Sequence, residues 1–272
     1  MRPQNFFLKS RYSDHRPALH QASETPCIAP ISLINWLQDH QMGYKVKVYP
    51  VFLNIVDKPC LVVGGGTIGE RKVEDLLIAG AQVTLVSREL TPGLQSLWQK
   101  GAIRYLKGEF APHQLEGMVL VIGATDDPEL NQRISKAAQE RGLPVNIVDA
   151  PALCTFIVPA SLRRGELTIA IGTGGLSPAL AKKLRQELED YFGPEYGPYL
   201  EFLGAIRGKV LSRRRDHPDN LALFNRLVHS PLREALVSQD GPRLKGILEE
   251  LLAPILPPED LNSLQSLAFS RP

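Results

Sequence analysis

The sequence predicts an α/β fold: a doubly wound parallel sheet, then a small strand-rich segment, then a helical C-terminal region. Three observations predict it. From Tyr49 to Ala150 short apolar runs alternate with amphipathic stretches of helical period, and parallel strands need such crossover helices. The first apolar run ends in "GGGTIG", a glycine turn between a strand and a helix. After Pro151 the rhythm changes to one hairpin pattern and then to helices.

The elements follow in order. Residues 1–45 stand apart: "MRPQNFFLKSRYSDHRPALHQASETPC" is polar and aperiodic and is expected to be disordered, while "ISLINWLQDH" has the pattern of one short helix. Met42 precedes the ordered pattern, so an upstream extension and a start codon assigned too early both stay open. "PCLVVGG" reads as a buried strand, a continuous apolar run ended by glycine. The helix after it carries Ile68, Val73, Leu76, Leu77 and Gly80 near one face, with Glu70, Arg71, Lys72 and Glu74 mostly elsewhere. "AQVTLVS" is the second strand, and "LTPGLQSLWQKG" a helix with proline near its start and glycine past its end. "AIRYLKG" and "GMVLVIGAT" are further strands. "DPELNQRISKAAQERG" is a helix with an aspartate cap and a terminal glycine, and "LPVNIVDA" is the fifth strand. "TFIVPASLRRGELTIAIGT" reads as a hairpin turning at "RRGE", with Leu167, Ile169 and Ile171 on one face. "SPALAKKLRQELEDYF" is a helix with Ser177 as cap and Pro178 in first position, and "GPYLEFLGAIRGKVLSRRR" is another. Short helices punctuated by "HPDN", "DGPR" and "LPPED" complete the chain.

Composition narrows the function classes. Among 272 residues, 31 lysines and arginines face 29 acids, which argues against a general nucleic-acid binder. Cys27, Cys60 and Cys154 lie far apart and the six histidines are scattered, so reduced thiols and no metal site are expected. No apolar run approaches the roughly 18 residues that span a membrane. The N-terminal residues carry charges where a secretory signal would be continuous. A cytoplasmic protein with no membrane partner is expected.

The glycine turn is the first chemical signal. Gly64 permits a tight turn, Gly66 lets the backbone approach a pyrophosphate, and Gly69 lets the helix pack on its strand. The helix start then offers unpaired amides to the phosphates. This is the Rossmann-type pattern of a dinucleotide site, and its strand and helix context raises it above a structural glycine turn. The acid that normally binds a ribose 2′-hydroxyl at the end of the second strand is missing. Ser87 stands there to bond a ribose hydroxyl, Arg88 suits a 2′-phosphate, and Glu89 is close enough to serve a ribose. The pattern leaves NAD and NADP both open. The "GAT" backbone around Thr125 ends another strand near the same ligand, and Asp126 and Asp127 beyond it read as caps of the next helix.

Asp149 is the candidate base. It ends an apolar strand at the sheet's carboxyl edge, where ligands bind in such folds, and a partly desolvated carboxylate there suits proton abstraction. The bland alternative is a turn-forming aspartate. Asn146, three residues back, should face the other side. His113 reads as a surface histidine and Cys154 as a packing residue. "GTGGLSP", residues 172–178, is a second glycine signal: Thr173, Gly174 and Ser177 lead into a capped helix whose first amides suit an anion, or form only a turn and cap. Arg163, Arg164, Lys182, Lys183 and Arg185 form a local basic group, either a solvated face or a site for a polycarboxylate.

Together "YPVFLNIVDKPCLVVGGGTIGERKVEDLLIAGAQVTLVS", "GATDDPELNQRI", "NIVDAPALCTFIVP" and "GTGGLSPALAKKLR" resemble the precorrin-2 dehydrogenase and sirohydrochlorin ferrochelatase family, the N-terminal module of siroheme synthases. The resemblance runs from about Tyr44 to Arg215. It implies NAD-dependent oxidation of precorrin-2 to sirohydrochlorin, with Fe²⁺ insertion in some members, on a homodimer. The functional aspartate of the family falls on Asp149. Its motif serine, phosphorylated in some members, falls on Thr173. Its dinucleotide contacts fall on Thr67, Ile68, Arg88 and Glu89, and members use NAD without the conventional acid. The basic side chains expected at the substrate carboxylates are Arg163, Lys182 and Arg185. The expected division is 46–152 for the NAD-binding domain, 153–176 for the dimerisation segment, 177–215 for a helical domain and 216–272 for a helical extension. No methyltransferase sequence follows, so a stand-alone form is expected. Three alternatives remain: an NAD(H)-sensing module without catalysis, another small-molecule dehydrogenase of this fold, and a partner-binding scaffold.

Overall fold

A five-stranded parallel sheet is built from residues 59–147. The computed structural model describes residues 47–269; the extension and short helix expected within 1–45 lie outside the described residues. The strands are β1 (Pro59–Val63), β2 (Gln82–Ser87), β3 (Arg104–Lys107), β4 (Leu120–Gly123) and β5 (Val145–Ile147), ordered β3-β2-β1-β4-β5. Helices α1 (Thr67–Ile78), α2 (Pro92–Gln99) and α3 (Pro128–Gln139) make three of the crossovers, and a 3-10 turn at Pro112–Leu115 lies in the fourth. Strand order reverses between β1 and β4, whose pairing runs from Cys60↔Leu120 to Val63↔Gly123. That reversal opens a crevice at the carboxyl edge, the ligand position of this architecture.

Both faces of the sheet are covered, which is why the strands read as unbroken apolar runs. Cys60 and Val62 pack with Val73, Leu76 and Leu94 on one face, while Leu61 and Val63 pack with Ile134, Ala137 and Ala138 on the other. Ile68 departs from the expected buried face of α1: it is 43% exposed, because the helix starts at the crevice and its first turn overhangs the edge. β5 is an edge strand, and its free backbone groups are covered by side chains from the segment after it. The Val145 amide donates to Thr155 Oγ1 (2.9 Å) and the Ile147 amide to Cys154 Sγ (3.2 Å).

Beyond the sheet, β6 (Ala160–Arg164) and β7 (Leu167–Ile171) form an antiparallel hairpin. Its two-residue turn holds Gly165 at φ +56°, where only about 3.2 Å separates an added Cβ from the Gly197 backbone. Leu162 is buried, whereas Leu167, Ile169 and Ile171 are only half-buried. Helices α4 (Pro178–Tyr191), α5 (Tyr196–Arg214), α6 (Asn220–His229), α7 (Leu232–Val237), α8 (Gly241–Leu252) and α9 (Pro258–Phe269) follow. Phe202, Ile206 and Val210 of α5 share one hydrophobic core with Leu223, Leu227, Leu248 and Leu264 of later helices. Lys209 and Arg213 of α5 also bind Asp260 of α9, at 2.8 and 3.0 Å. The expected division at residue 215 therefore cuts through a single core. Sequence patterning found the helices but not this, because interhelical contact leaves no local period.

Candidate dinucleotide and catalytic site

The glycines of the first turn do different jobs. Gly64 adopts φ +118°, and a Cβ there would lie 2.2 Å from the Ala124 carbonyl oxygen, across the β1–β4 crevice. A Cβ at Gly69 would lie 2.0 Å from the Gly64 carbonyl oxygen, so only glycine brings α1 this close to its strand. At Gly66 nothing stands within 4 Å. That open position, at the start of α1 beside the Thr67 and Ile68 amides of the first turn, leaves room for a pyrophosphate. Gly65 was not singled out from the sequence. It is buried, and its Cβ would strike the Glu89 carbonyl (2.1 Å) and Ser87 Oγ (2.5 Å), so it presses the turn against the end of β2. The residues present fit a dinucleotide.

At the end of β2, Ser87 Oγ donates to the Glu89 carbonyl at 2.7 Å, which shapes the loop that the sequence assigned to the ribose. Arg88 is paired with Glu109 at 2.7 Å, a residue that sequence reasoning missed because it lies 21 positions away on the segment after β3. The Glu109 carboxylate raises the Arg88 guanidinium further above its ordinary value. At the end of β4, Thr125 Oγ1 meets Asn131 Oδ1 at 2.8 Å, and Asn131 donates to the Thr125 carbonyl at 3.0 Å. Asp127 caps α3 by accepting from Glu129 N (2.9 Å) and Leu130 N (3.1 Å).

Asp149 lies at the same edge, two residues past β5, in a turn closed by the Ala150 amide donating to the Ile147 carbonyl (3.2 Å). Its φ is 57°, a left-handed conformation that asparagine and aspartate tolerate better than other side chains but that glycine adopts most readily. A conformation that would suit glycine is here held by a carboxylate, and outliers of this kind cluster at functional positions. The expectation that Asp149 is partly desolvated is corrected: its side chain is exposed, because the turn projects it beyond the strand end. Cys154 holds the turn from below. Its thiol donates to the Ile147 (3.2 Å) and Ala150 (3.4 Å) carbonyls, and burial pushes it above the ordinary thiol value, which suits a structural group rather than a nucleophile. Asn146 points away from Asp149, toward the Phe156 carbonyl at 3.0 Å.

The second glycine signal has a turn-and-cap geometry. The Ser177 amide donates to Thr173 Oγ1 (3.4 Å), and Ser177 Oγ accepts from Leu180 N at the start of α4 (3.2 Å). Gly174 supplies φ +62° for that loop. The basic group is divided. Arg164 donates to the Phe192 carbonyl (2.8 Å) and the Glu189 carbonyl (3.2 Å), capping the end of α4. Arg185 pairs with Glu189 and Lys183 with Glu187, one helical turn on. Arg185, expected at the substrate carboxylates, has its charge met by Glu189 in the free chain. Arg163 and Lys182 are exposed.

A reversed parallel sheet with a glycine cradle at its crevice defines a dinucleotide-binding protein. Residues 51–160 match a family model for NAD(P)-binding domains, and residues 164–191 match the central domain of sirohaem biosynthesis proteins. The chain is 48% identical over 208 residues to a siroheme synthase of Methylobacillus flagellatus, covering 76% of this chain and 44% of that one. It is 39% identical to a siroheme synthase of Thioalkalivibrio sulfidiphilus, covering 75% and 42%. The solved structure of SirC, precorrin-2 dehydrogenase, aligns with a TM-score of 0.62 at 28% identity, covering 74% of this chain and 98% of that one. The chain is thus related to the dinucleotide-binding and central modules of siroheme synthases, and spans less than half the length of those curated relatives. Among the described residues no helix is long and apolar enough to cross a membrane.

Proposed function

We propose that this chain oxidises precorrin-2 to sirohydrochlorin with NAD⁺, in the cytoplasm, as a step of siroheme biosynthesis. The observation that carries the reading is Asp149: a carboxylate held in a left-handed turn at the sheet edge that also carries the glycine cradle. Gly66, Thr67 and Ile68 would hold the pyrophosphate, with Gly64 and Gly69 shaping the turn and Ser87, Arg88, Glu89 and Thr125 bordering the ribose and nicotinamide sides. Bound NAD⁺ supplies the hydride acceptor. A carboxylate oxygen of Asp149 then takes the accompanying proton from the macrocycle. Its exposure in the free chain fits a bulky substrate, because the macrocycle itself excludes water and raises the basicity of the carboxylate when bound. Arg163 and Lys182 are the cations free to meet substrate carboxylates, with Thr173, Gly174 and Ser177 offering the loop and helix start beside them in sequence.

The same carboxylate serves a second step, Fe²⁺ entry into sirohydrochlorin, by receiving one of the two pyrrole protons that metal displaces. A homodimer is part of the reading: the half-buried Leu167, Ile169 and Ile171 leave apolar surface on the hairpin for a second copy to cover. Anaerobic incubation with precorrin-2 and NAD⁺, followed by absorbance, tests the first step, and added Fe²⁺ tests the second. Sirohydrochlorin should appear only with NAD⁺ present. Tight NADH binding with no product would replace the enzyme by an NAD(H)-sensing module.

A further inference from the structure

We propose that Glu109 sets the dinucleotide preference of this chain: by engaging Arg88 from the neighbouring strand it selects NAD(H) against NADP(H). The inference rests on the reading that the glycine turn holds a dinucleotide, and names the residue that decides which one.

In this fold the end of β2 reads the ribose 2′ position, an acid there favouring a hydroxyl and an arginine a phosphate. Taken alone, Arg88 would favour NADP. The structure supplies the absent acid from elsewhere. β3 pairs with β2 through Ser87↔Lys107, and the Gly108 amide donates to the Ser87 carbonyl at 3.0 Å, so the two strands leave the sheet side by side. The Tyr105 hydroxyl also donates to the Ser87 carbonyl, at 3.0 Å. Two residues beyond Lys107 the chain places Glu109, whose Oε1 lies 2.7 Å from Arg88 Nη2. Glu89 adds a second carboxylate at this strand end, and its backbone is pressed against the glycine turn at Gly65.

A 2′-phosphate brings up to about two negative charges. It would meet Glu109 and Glu89, and the guanidinium that should receive it is already engaged. A ribose hydroxyl meets no such repulsion and can donate its one proton to a carboxylate at this strand end. Both partners of the ion pair are mostly exposed, at 77% and 66%, so the pair contributes little to folding and its removal leaves the fold intact. Lys107 is the other cation at this edge; it is exposed and separable by mutation.

The test is a titration of NADH and NADPH, by nicotinamide fluorescence, into the full chain and three variants: Glu109→Gln, Glu109→Gln with Arg88→Ala, and Glu109→Gln with Lys107→Ala. The wild type should prefer NADH. Glu109→Gln should raise affinity for NADPH relative to NADH by about tenfold, the scale of one charge-assisted contact. Adding Arg88→Ala should erase that gain, and adding Lys107→Ala should leave it. NADH binding with an unchanged ratio in Glu109→Gln, a gain that survives Arg88→Ala, or a wild type that prefers NADPH would overturn the inference and leave the dinucleotide site standing. A wild type that binds neither nucleotide would remove both.

Discussion

The carboxyl edge of the sheet and the hairpin with α4 contrast in how their chemistry is made. At the edge, backbone does the work: Gly64, Gly65 and Gly69 touch main-chain atoms at distances no Cβ tolerates, while Gly66 is left open. Around the hairpin and α4, side chains carry the charge, and most of it is spent internally. Arg164 caps a helix, Arg185 meets Glu189 and Lys183 meets Glu187. A site built from backbone is complete in the free chain; a site built from long side chains is completed by whatever binds it.

The sharpest way to break that comparison is at the first turn. Gly64→Ala forces a Cβ onto the Ala124 carbonyl in a left-handed conformation, and should cost on the order of 3 kcal/mol or more and abolish NADH binding. Gly66→Ala should keep the wild-type melting temperature yet weaken NADH binding about tenfold, since its methyl enters the cradle and nothing else. Equal melting losses in both variants, by calorimetry, would deny the glycines separate roles.

Next in size is the clasp beneath Asp149. Cys154→Ala leaves the Ile147 amide without its partner and should cost about 1–3 kcal/mol in denaturant unfolding. Amide exchange at Ile147 should quicken in that variant, and unchanged exchange would show that the thiol holds nothing.

The hairpin side predicts a smaller split. Lys182→Gln should raise KM for precorrin-2 about fivefold with kcat nearly unchanged, roughly 1 kcal/mol of uniform binding. Arg185→Gln should change KM less than about twofold, because its charge is already met by Glu189. The reverse ranking in steady-state kinetics would show that substrate binding breaks the Arg185 pair.

The remaining effect appears only in alkali. Burial pushes the Cys60 thiol up to about 11 from its ordinary 9.0. Between those values the folded state keeps a proton that the unfolded state loses, so the contribution is full below pH 9 and is lost as pH rises through 11. Chemical unfolding across that range should show a steeper decline for the wild type than for Cys60→Ala, and parallel declines would place the thiol in contact with water.

Legibility followed the same division. The five strands, their crossover helices and the close approaches at Gly64 and Gly69 were written in local period and in one residue type. Asp149 was legible as a strand-end acid, but neither its left-handed backbone nor its exposure was, because both depend on Cys154 gripping the turn from five residues on. Glu109 and Gly65 were missed since each acts on a residue distant in sequence. The pairing of Arg185 with Glu189, one turn along the same helix, was readable from the i,i+4 spacing.

Absorbance under anaerobic conditions, with precorrin-2 and NAD⁺ offered to the wild type and to Asp149→Asn side by side, tests the central claim most directly. Asparagine tolerates the left-handed turn, so the substitution removes the base and spares the backbone. The account predicts sirohydrochlorin from the wild type, a loss of about 10²- to 10⁴-fold in the variant, and equal NADH affinity in both. A variant that turns over as fast as the wild type would contradict it.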